Sequence, residues 1–289
     1  MSDIITRFAP TPSGLLHLGH AYSALFAERQ ARDRGGRFLL RIEDIDHTRC
    51  RPEFEQAILE DLAWLGLTWE APVRRQSDHM DDYQRALDRL DEQGLIYPCF
   101  CTRKEIRAEI AKADQAPHDA HSRGPVYPGT CRRLYQDDRD IRMSAGDAYA
   151  LRLDVRKAIH LAEQKAGSLI WNDLALGPVA AKPEIFGDVV VARKDEPTSY
   201  HISVTVDDAL QDVTMVTRGD DLRDVTHIHR LLQALLEYQT PDYKFHHLLT
   251  DQNGKRFAKR NKSLTLRTLR EDRKSLDDVR RMVEIEMDY

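Results

Sequence analysis

Hydrophobic and polar positions fall into a readable order from the start of the chain. Residues 4–8 read as a short buried strand, and residues 9–14 form a Pro- and Gly-rich turn. From His17 to Arg32 apolar residues recur at helical spacing, with Leu18, Ala21, Leu25 and Phe26 on one side, and Gly35-Gly36 stops the helix. Residues 37–42 form a second strand that ends in the acidic cluster Glu43, Asp44 and Asp46. Strand, turn, helix, strand is a βαβ unit. It predicts an α/β fold with a parallel sheet and a site at the C-terminal ends of the strands.

Helices are expected next over 52–66 and 79–94, where a proline opens the first and a glycine closes each. The stretch 105–124 is polar, carries Pro117, His118 and His121, and reads as a flexible insertion. Residues 149–155 and 189–194 alternate as strands, and 213–217 is a strand running into Arg218-Gly219-Asp220-Asp221. A helix over 225–236 and a strand over 245–249 follow. The chain then has room for one or two further helices, and no internal repeat is visible.

At 289 residues the chain suffices for one large domain, or a domain with an insertion. Its 41% hydrophobic and 31% charged residues are an ordinary balance for a soluble protein. No apolar run approaches the ~20 residues of a membrane span, and the first ten residues lack the apolar core of a signal peptide. The expected location is the cytoplasm. A net charge of −5 excludes a generally basic nucleic-acid binder, yet residues 253–274 hold nine basic against two acidic side chains. Such a stretch is either a solvated face or a place to meet phosphates. The four cysteines, Cys50, Cys99, Cys101 and Cys131, are too few and in the wrong compartment for a disulfide framework.

The densest chemistry is Arg7-Phe8-Ala9-Pro10-Thr11-Pro12-Ser13-Gly14-Leu15-Leu16-His17-Leu18-Gly19-His20. The prolines and Gly14 force a compact turn straight after a strand, and two histidines three apart open the helix. The helix N-terminus favours an anion, the histidines can donate to a phosphate, and Gly19 permits close approach of a flat base. Next, Arg41 with Glu43, Asp44 and Asp46 at a strand end suits a zwitterion, or equally a structural ion-pair network.

These segments resemble bacterial glutamyl-tRNA synthetase, a class I aminoacyl-tRNA synthetase. Later ones agree in order: Gly177-Pro178-Val179, residues 188–193, Ser199-Tyr200-His201 with Val206-Asp207-Asp208, and Arg218-Gly219-Asp220-Asp221-Leu222. The likeness covers nearly the whole chain but stops before anticodon-reading domains. In this the sequence resembles the glutamyl-Q tRNA(Asp) synthetases, which activate glutamate and attach it to the queuosine base of tRNA(Asp). The resemblance implies that Arg7, Phe8, Ala9, Pro10 and Thr11 line a glutamate pocket, with Arg7 on the side-chain carboxylate and Glu43 on the α-ammonium. It implies that Tyr200 and Arg218 complete the pocket, and that His17, Gly19 and His20 hold ATP with its Mg²⁺. Residues 256–260, Arg-Phe-Ala-Lys-Arg, stand where the family carries its second ATP signature, in a degenerate form that keeps Lys259. His17, His20 and Lys259 are the catalytic candidates.

Cys99 and Cys101, with Cys131 from a distant loop, can supply three legs of a tetrahedral zinc site. In the glutamyl-Q family a tyrosine with three residues between it and the last cysteine is the fourth ligand. Tyr127 fits that place, while His118 and His121 remain rivals and three free thiols the alternative. Such a zinc would be structural.

The resulting division is 1–95 and 196–250 for a Rossmann-like nucleotide-binding domain, 96–195 for an inserted, zinc-bearing subdomain, and 251–289 for the ATP-signature loop with a helical stub. The expected partners are L-glutamate, ATP and queuosine-bearing tRNA(Asp), for a monomer whose first step needs no tRNA. The competing expectations are a truncated glutamyl-tRNA synthetase charging 3′ ends and a non-catalytic RNA-binding paralogue.

Overall fold

The computed structural model describes residues 3–113, 126–193, 196–249 and 265–284. In chain order the strands and helices are β1 (Ile5–Phe8), α1 (Leu18–Arg32), β2 (Arg37–Ile42), α2 (Pro52–Trp64), β3 (Glu70–Arg75), α3 (Met80–Glu92), β4 (Ile96–Cys99) and α4 (Arg103–Ala113). Then come α5 (Gln136–Ser144), β5 (Ala150–Leu153), α6 (Val155–Ala166), β6 (Ile170–Asp173), β7 (Gly177–Ala180), β8 (Val190–Arg193) and α7 (Tyr200–Leu210). The last are β9 (Met215–Gly219), α8 (Thr226–Leu236), β10 (Asp242–His246), α9 (Leu266–Glu271) and α10 (Leu276–Glu284).

β1, β2 and β3 form one parallel ladder. β10 pairs in parallel with β9 and with β6, and β7 closes that ladder antiparallel to β6. The two ladders meet at Ile5, whose carbonyl accepts from Thr214 N at 3.1 Å and whose N–H donates to Thr214 Oγ1 at 2.8 Å. The strands therefore run β3-β2-β1-β9-β10-β6-β7, stepping outward from the centre in opposite directions. Right-handed crossovers then place α1 and α8 on opposite faces. This is the parallel α/β architecture the N-terminal pattern predicts.

Alternation along β2 divides its side chains. Phe38, Leu40 and Ile42 enter the core under α1, α2, α9 and α10, whereas Leu39 joins a cluster with Ile5, Trp171 and Tyr243. Arg7 and Arg41 share the parity of Ile5 and Leu39, so both point to the side covered by α7. A third core packs α3, α6, α7 and α8. β4, β5 and β8 form a separate antiparallel sheet. The β6–β7 hairpin, although it lies between residues 96 and 195, hydrogen-bonds to the main sheet.

Three expectations need correction. The polar stretch after residue 105 is not simply flexible, because α4 covers Arg103–Ala113 and opens with a capping box: Thr102 N donates to Glu105 at 2.7 Å and Glu105 N to Thr102 Oγ1 at 3.2 Å. The strand expected to reach residue 155 ends at Leu153, because Asp154 caps α6 by accepting from Lys157 N at 3.2 Å. The last strand is Asp242–His246 rather than 245–249, since its register is set by pairing with Met215–Gly219.

Candidate active site

The turn after β1 delivers His17 as the N-cap of α1 and His20 as its third residue. Each caps through Nδ1: His17 accepts from Gly19 N at 3.1 Å and His20 from His17 N at 3.2 Å. An Nδ1 that accepts leaves the proton of a neutral ring on Nε2, so both rings are set up as Nε2–H donors. Their centroids lie 3.8 Å apart. A Cβ on Gly19 would come within 3.1 Å of the His17 ring, so this glycine makes room for the capping histidine itself. Thr265 bridges His17, and Leu266 N donates to Leu16 O at 2.9 Å. The chain therefore re-enters the described residues beside this pair. Lys259 and the rest of residues 256–260 lie outside them.

Behind the turn is a buried ion network. Arg7 donates to Asp208 through Nε at 2.9 Å and to Thr217 O at 3.2 Å. Arg41, fully buried, reaches Asp208 at 2.9 Å, Gln211 at 3.0 Å and Glu43 at 3.3 Å, with Asp207 at 3.6 Å. Asp207 also accepts from Arg74 at 2.7 Å, Gln76 at 2.8 Å and Tyr83 at 3.0 Å. Burial alone would raise the Asp208 carboxyl, but Arg7 and Arg41 outweigh it and hold the group below its usual range. At Glu43 burial wins over Arg41 and Arg7, and the carboxyl rises. Asp44 and Asp46 are taken up locally, the first by Ser77 and the second by Thr48 and Arg49. Of the acidic cluster it is Glu43 that this network holds at the strand end.

Thr11, Glu43, Tyr200 and His201 line one cleft of about 530 Å³, which runs on past Arg49 and Arg193 to Tyr127 and Asp188. Phe8 belongs to the core, and Pro10 acts through its carbonyl, which accepts from Glu43 N at 3.0 Å. Ala9 is half-buried between them. Arg7 and Arg218 sit behind Tyr200, near enough that their charges act on its phenol, which burial pushes upward. Arg218 does not pair with Asp220. It donates to Thr226 Oγ1 at 2.8 Å and to His229 at 3.3 Å, and Arg223 takes Asp220 instead. Sequence reasoning named His201, Asp207 and Asp208 only within matching segments, without a role, and did not reach His229. The signals available were the adjacent carboxylates of Val206-Asp207-Asp208 and the segment Ser199-Tyr200-His201.

At the far end of the cleft Cys99, Cys101 and Cys131 place their sulfurs within 4.8 Å of one another. Cys101 and Cys131 are 3.4 Å apart, and the Tyr127 hydroxyl lies 3.7 Å from Cys101 Sγ. A tetrahedral zinc with Zn–S near 2.3 Å needs sulfurs roughly 3.8 Å apart, so the trio fits one. A hydrogen bond shared with Cys99 pulls the Cys131 thiol down to about 6 and pushes Cys99 up to about 12. Tyr127 Oη accepts from Cys131 N at 2.8 Å, and Arg152 lies 3.9 Å over its ring. His118 and His121 lie outside the described residues.

A parallel sheet of this order, with a histidine-capped helix at its central crevice, defines the nucleotide-binding catalytic domain of a class I tRNA synthetase. Residues 3–284 match the family described as tRNA synthetases class I (E and Q), catalytic domain. The chain is 45% identical to the Glutamyl-Q tRNA(Asp) synthetase of Rhodobacter capsulatus, over 97% of its own length and 99% of that protein. It is 36% identical to the glutamate–tRNA ligase of Aquifex aeolicus, over 94% of this chain and 54% of that one. The crystal structure of glutamate-tRNA synthetase from Elizabethkingia anophelis matches with a TM-score of 0.72 at 27% identity, over 90% of this chain and 53% of the other. The chain belongs to the class I (E and Q) tRNA synthetase family, a family of ATP-using ligases. It spans about half the length of the glutamate–tRNA ligases it matches. No helix among the described residues is long and apolar enough to cross a membrane.

Proposed function

We propose that this protein condenses glutamate with ATP to glutamyl-adenylate and passes the glutamyl group to the queuosine base in the anticodon of tRNA(Asp). The observation that carries this reading is that Glu43 and Tyr200 line one cleft with the charges of Arg7 and Arg218 acting on Tyr200 from behind, while the turn that follows Arg7 leads into the histidine-capped start of α1. The match to the Rhodobacter capsulatus protein over nearly the full length of both chains supports the choice of acceptor.

Arg7, which has N–H groups to spare beyond Asp208 and Thr217, takes the side-chain carboxylate, with Tyr200 and Arg218 completing the pocket. Glu43 takes the α-ammonium, and Thr11 borders it. The α-carboxylate oxygen attacks the α-phosphorus of ATP, and the bond to pyrophosphate breaks. The Nε2–H groups of His17 and His20 donate to the phosphate as its charge grows, Gly19 seats the base, and Lys259 follows the pyrophosphate. Mg²⁺ accompanies the ATP phosphates. A queuosine hydroxyl then takes the acyl group and AMP leaves. Zinc held by Cys99, Cys101, Cys131 and Tyr127 would brace the insertion. On this reading residues 1–95 and 196–250 make the catalytic domain, 96–195 the insertion and 251–289 the ATP-loop segment of a cytoplasmic monomer.

The test is transfer of labelled glutamate, with ATP, to two tRNA pools, one containing queuosine and one from cells unable to make it. Label on the first pool alone, surviving periodate oxidation of 3′ ends, is the expected result. Equal labelling of both pools, abolished by periodate, overturns it in favour of 3′-end charging.

A further inference from the structure

A buried relay fixes which atom His201 offers to the cleft. An arginine does not give up its protons in a protein, and Arg218 donates to His229 Nδ1 at 3.3 Å. That nitrogen must hold a lone pair, so the proton of neutral His229 sits on Nε2. His229 Nε2 is 3.4 Å from His201 Nδ1, which must accept in turn. The His201 proton is thereby driven to Nε2. Neither ring is an imidazolium: burial, then the Arg218 charge, brings His201 down to about 4 and His229 well below the ordinary value. His201 lines the cleft with Tyr200 and Glu43, and among the described residues nothing hydrogen-bonds its Nε2.

We infer that the Arg218–His229–His201 relay holds His201 as a fixed N–H donor toward the substrate's side-chain carboxylate and thereby selects glutamate over glutamine. This rests on the glutamate reading above. A carboxylate offers only lone pairs, which suits a wall made of Arg7, Tyr200 and His201 donors. A carboxamide has one oxygen and one NH₂, and with the Arg7 N–H at one oxygen position and the His201 N–H at the other it sets N–H against N–H whichever way it turns, leaving only the Tyr200 hydroxyl able to adapt. An unconstrained histidine would answer the amide by moving its proton to Nδ1. Here that move requires His229 to turn an N–H against the Arg218 N–H, so the relay withholds it. Discrimination of this kind is strong because the wrong substrate leaves buried donors unpaired. His229 is a positioning residue and touches no substrate.

The experiment compares kcat/KM for glutamate and for glutamine in ATP–pyrophosphate exchange, for wild type, His229→Leu and His229→Gln. Glutamine at 229 can restore an amide N–H toward His201 and an oxygen toward Arg218. His229→Leu is expected to narrow the glutamate-to-glutamine ratio about tenfold or more, and His229→Gln to hold it within about threefold of wild type. A folded, glutamate-active His229→Leu enzyme with an unchanged ratio overturns the inference. Ring ¹⁵N shifts of the wild-type protein provide a readout that no variant's folding can obscure: both histidines are expected as Nε2–H tautomers at pH 7, and an Nδ1–H form of His201 overturns it. Wild type that exchanges no pyrophosphate with glutamate would instead fault the proposed function, and the ¹⁵N spectrum would still judge the relay.

Discussion

Asp61 on α2 is fully buried, and neither of its oxygens accepts a hydrogen bond from a described residue. Its nearest charge is Arg270, at 3.5 Å on α9. Burial raises the carboxyl from 3.8 to about 6, against the pull of Arg270. The folded protein therefore binds a proton that the unfolded chain has already released between those values. The stability this protonation contributes is complete below about pH 4 and is lost as pH rises through 6. Asp61→Asn is expected to stabilise the protein by about 1–3 kcal/mol above pH 7, with the gain shrinking to nothing toward pH 4. Denaturant melts of both proteins across that range measure it, and an Asn variant less stable at pH 8 would contradict the account. Legibility at this scale followed contiguity. His17, Gly19 and His20 were readable as a cluster because they sit together at the capped start of one helix. Asp208 and His201 were not, because their partners Arg7 and His229 lie far off along the chain and only the fold joins them.

Individual elements were readable where one face was dry and the other wet. α1 and α2 show this, whereas α7 is buried from Ile202 to Asp208 and so has no polar stripe to mark a helical period. Its Ile202, Val204, Thr205 and Val206 also favour strand by local preference. The signal that was present is Ser199, whose hydroxyl accepts from Ile202 N at 3.4 Å as the N-cap. α6 hides for the opposite reason, since its polar residues outnumber its buried Val155, Ala158 and Ala162. The antiparallel sheet β4-β5-β8 is short and carries the cysteine cluster at its edge, where Tyr97, Cys99, Phe100, Tyr127 and Cys131 make a small core of their own. So little apolar surface needs a cross-link to hold it. The purified protein is therefore expected to carry about one zinc per chain by elemental analysis, and Cys131→Ser to carry none and melt earlier by several degrees. A Cys131→Ser protein that melts like wild type would show that this core stands without the metal.

Over the whole molecule, the ion network behind the cleft also joins the two ladders of the sheet, since Arg7 on β1 donates to Thr217 O on β9. Arg7 comes from β1, Arg41 from β2, Arg74 from β3, Tyr83 from α3, and Asp207 and Asp208 from α7. Each of these charges is buried or nearly so and already paired, so leaving one unpaired would cost several kcal/mol. On the reading proposed above, the glutamate pocket is consequently assembled by folding, with no RNA contact needed to complete it. The position of Thr265 against His17 adds that the chain from residue 265 onward is tied to the same turn. Glutamate-dependent ATP–pyrophosphate exchange is therefore expected at full rate without tRNA, and adding tRNA should change it by less than about threefold, or 0.7 kcal/mol in the barrier. The measurement is exchange in nuclease-treated protein with and without added tRNA. Exchange that depends strictly on tRNA would mean that the arrangement of Arg7, Arg41 and Asp208 is a resting one, and that RNA binding must break buried pairs before glutamate can react.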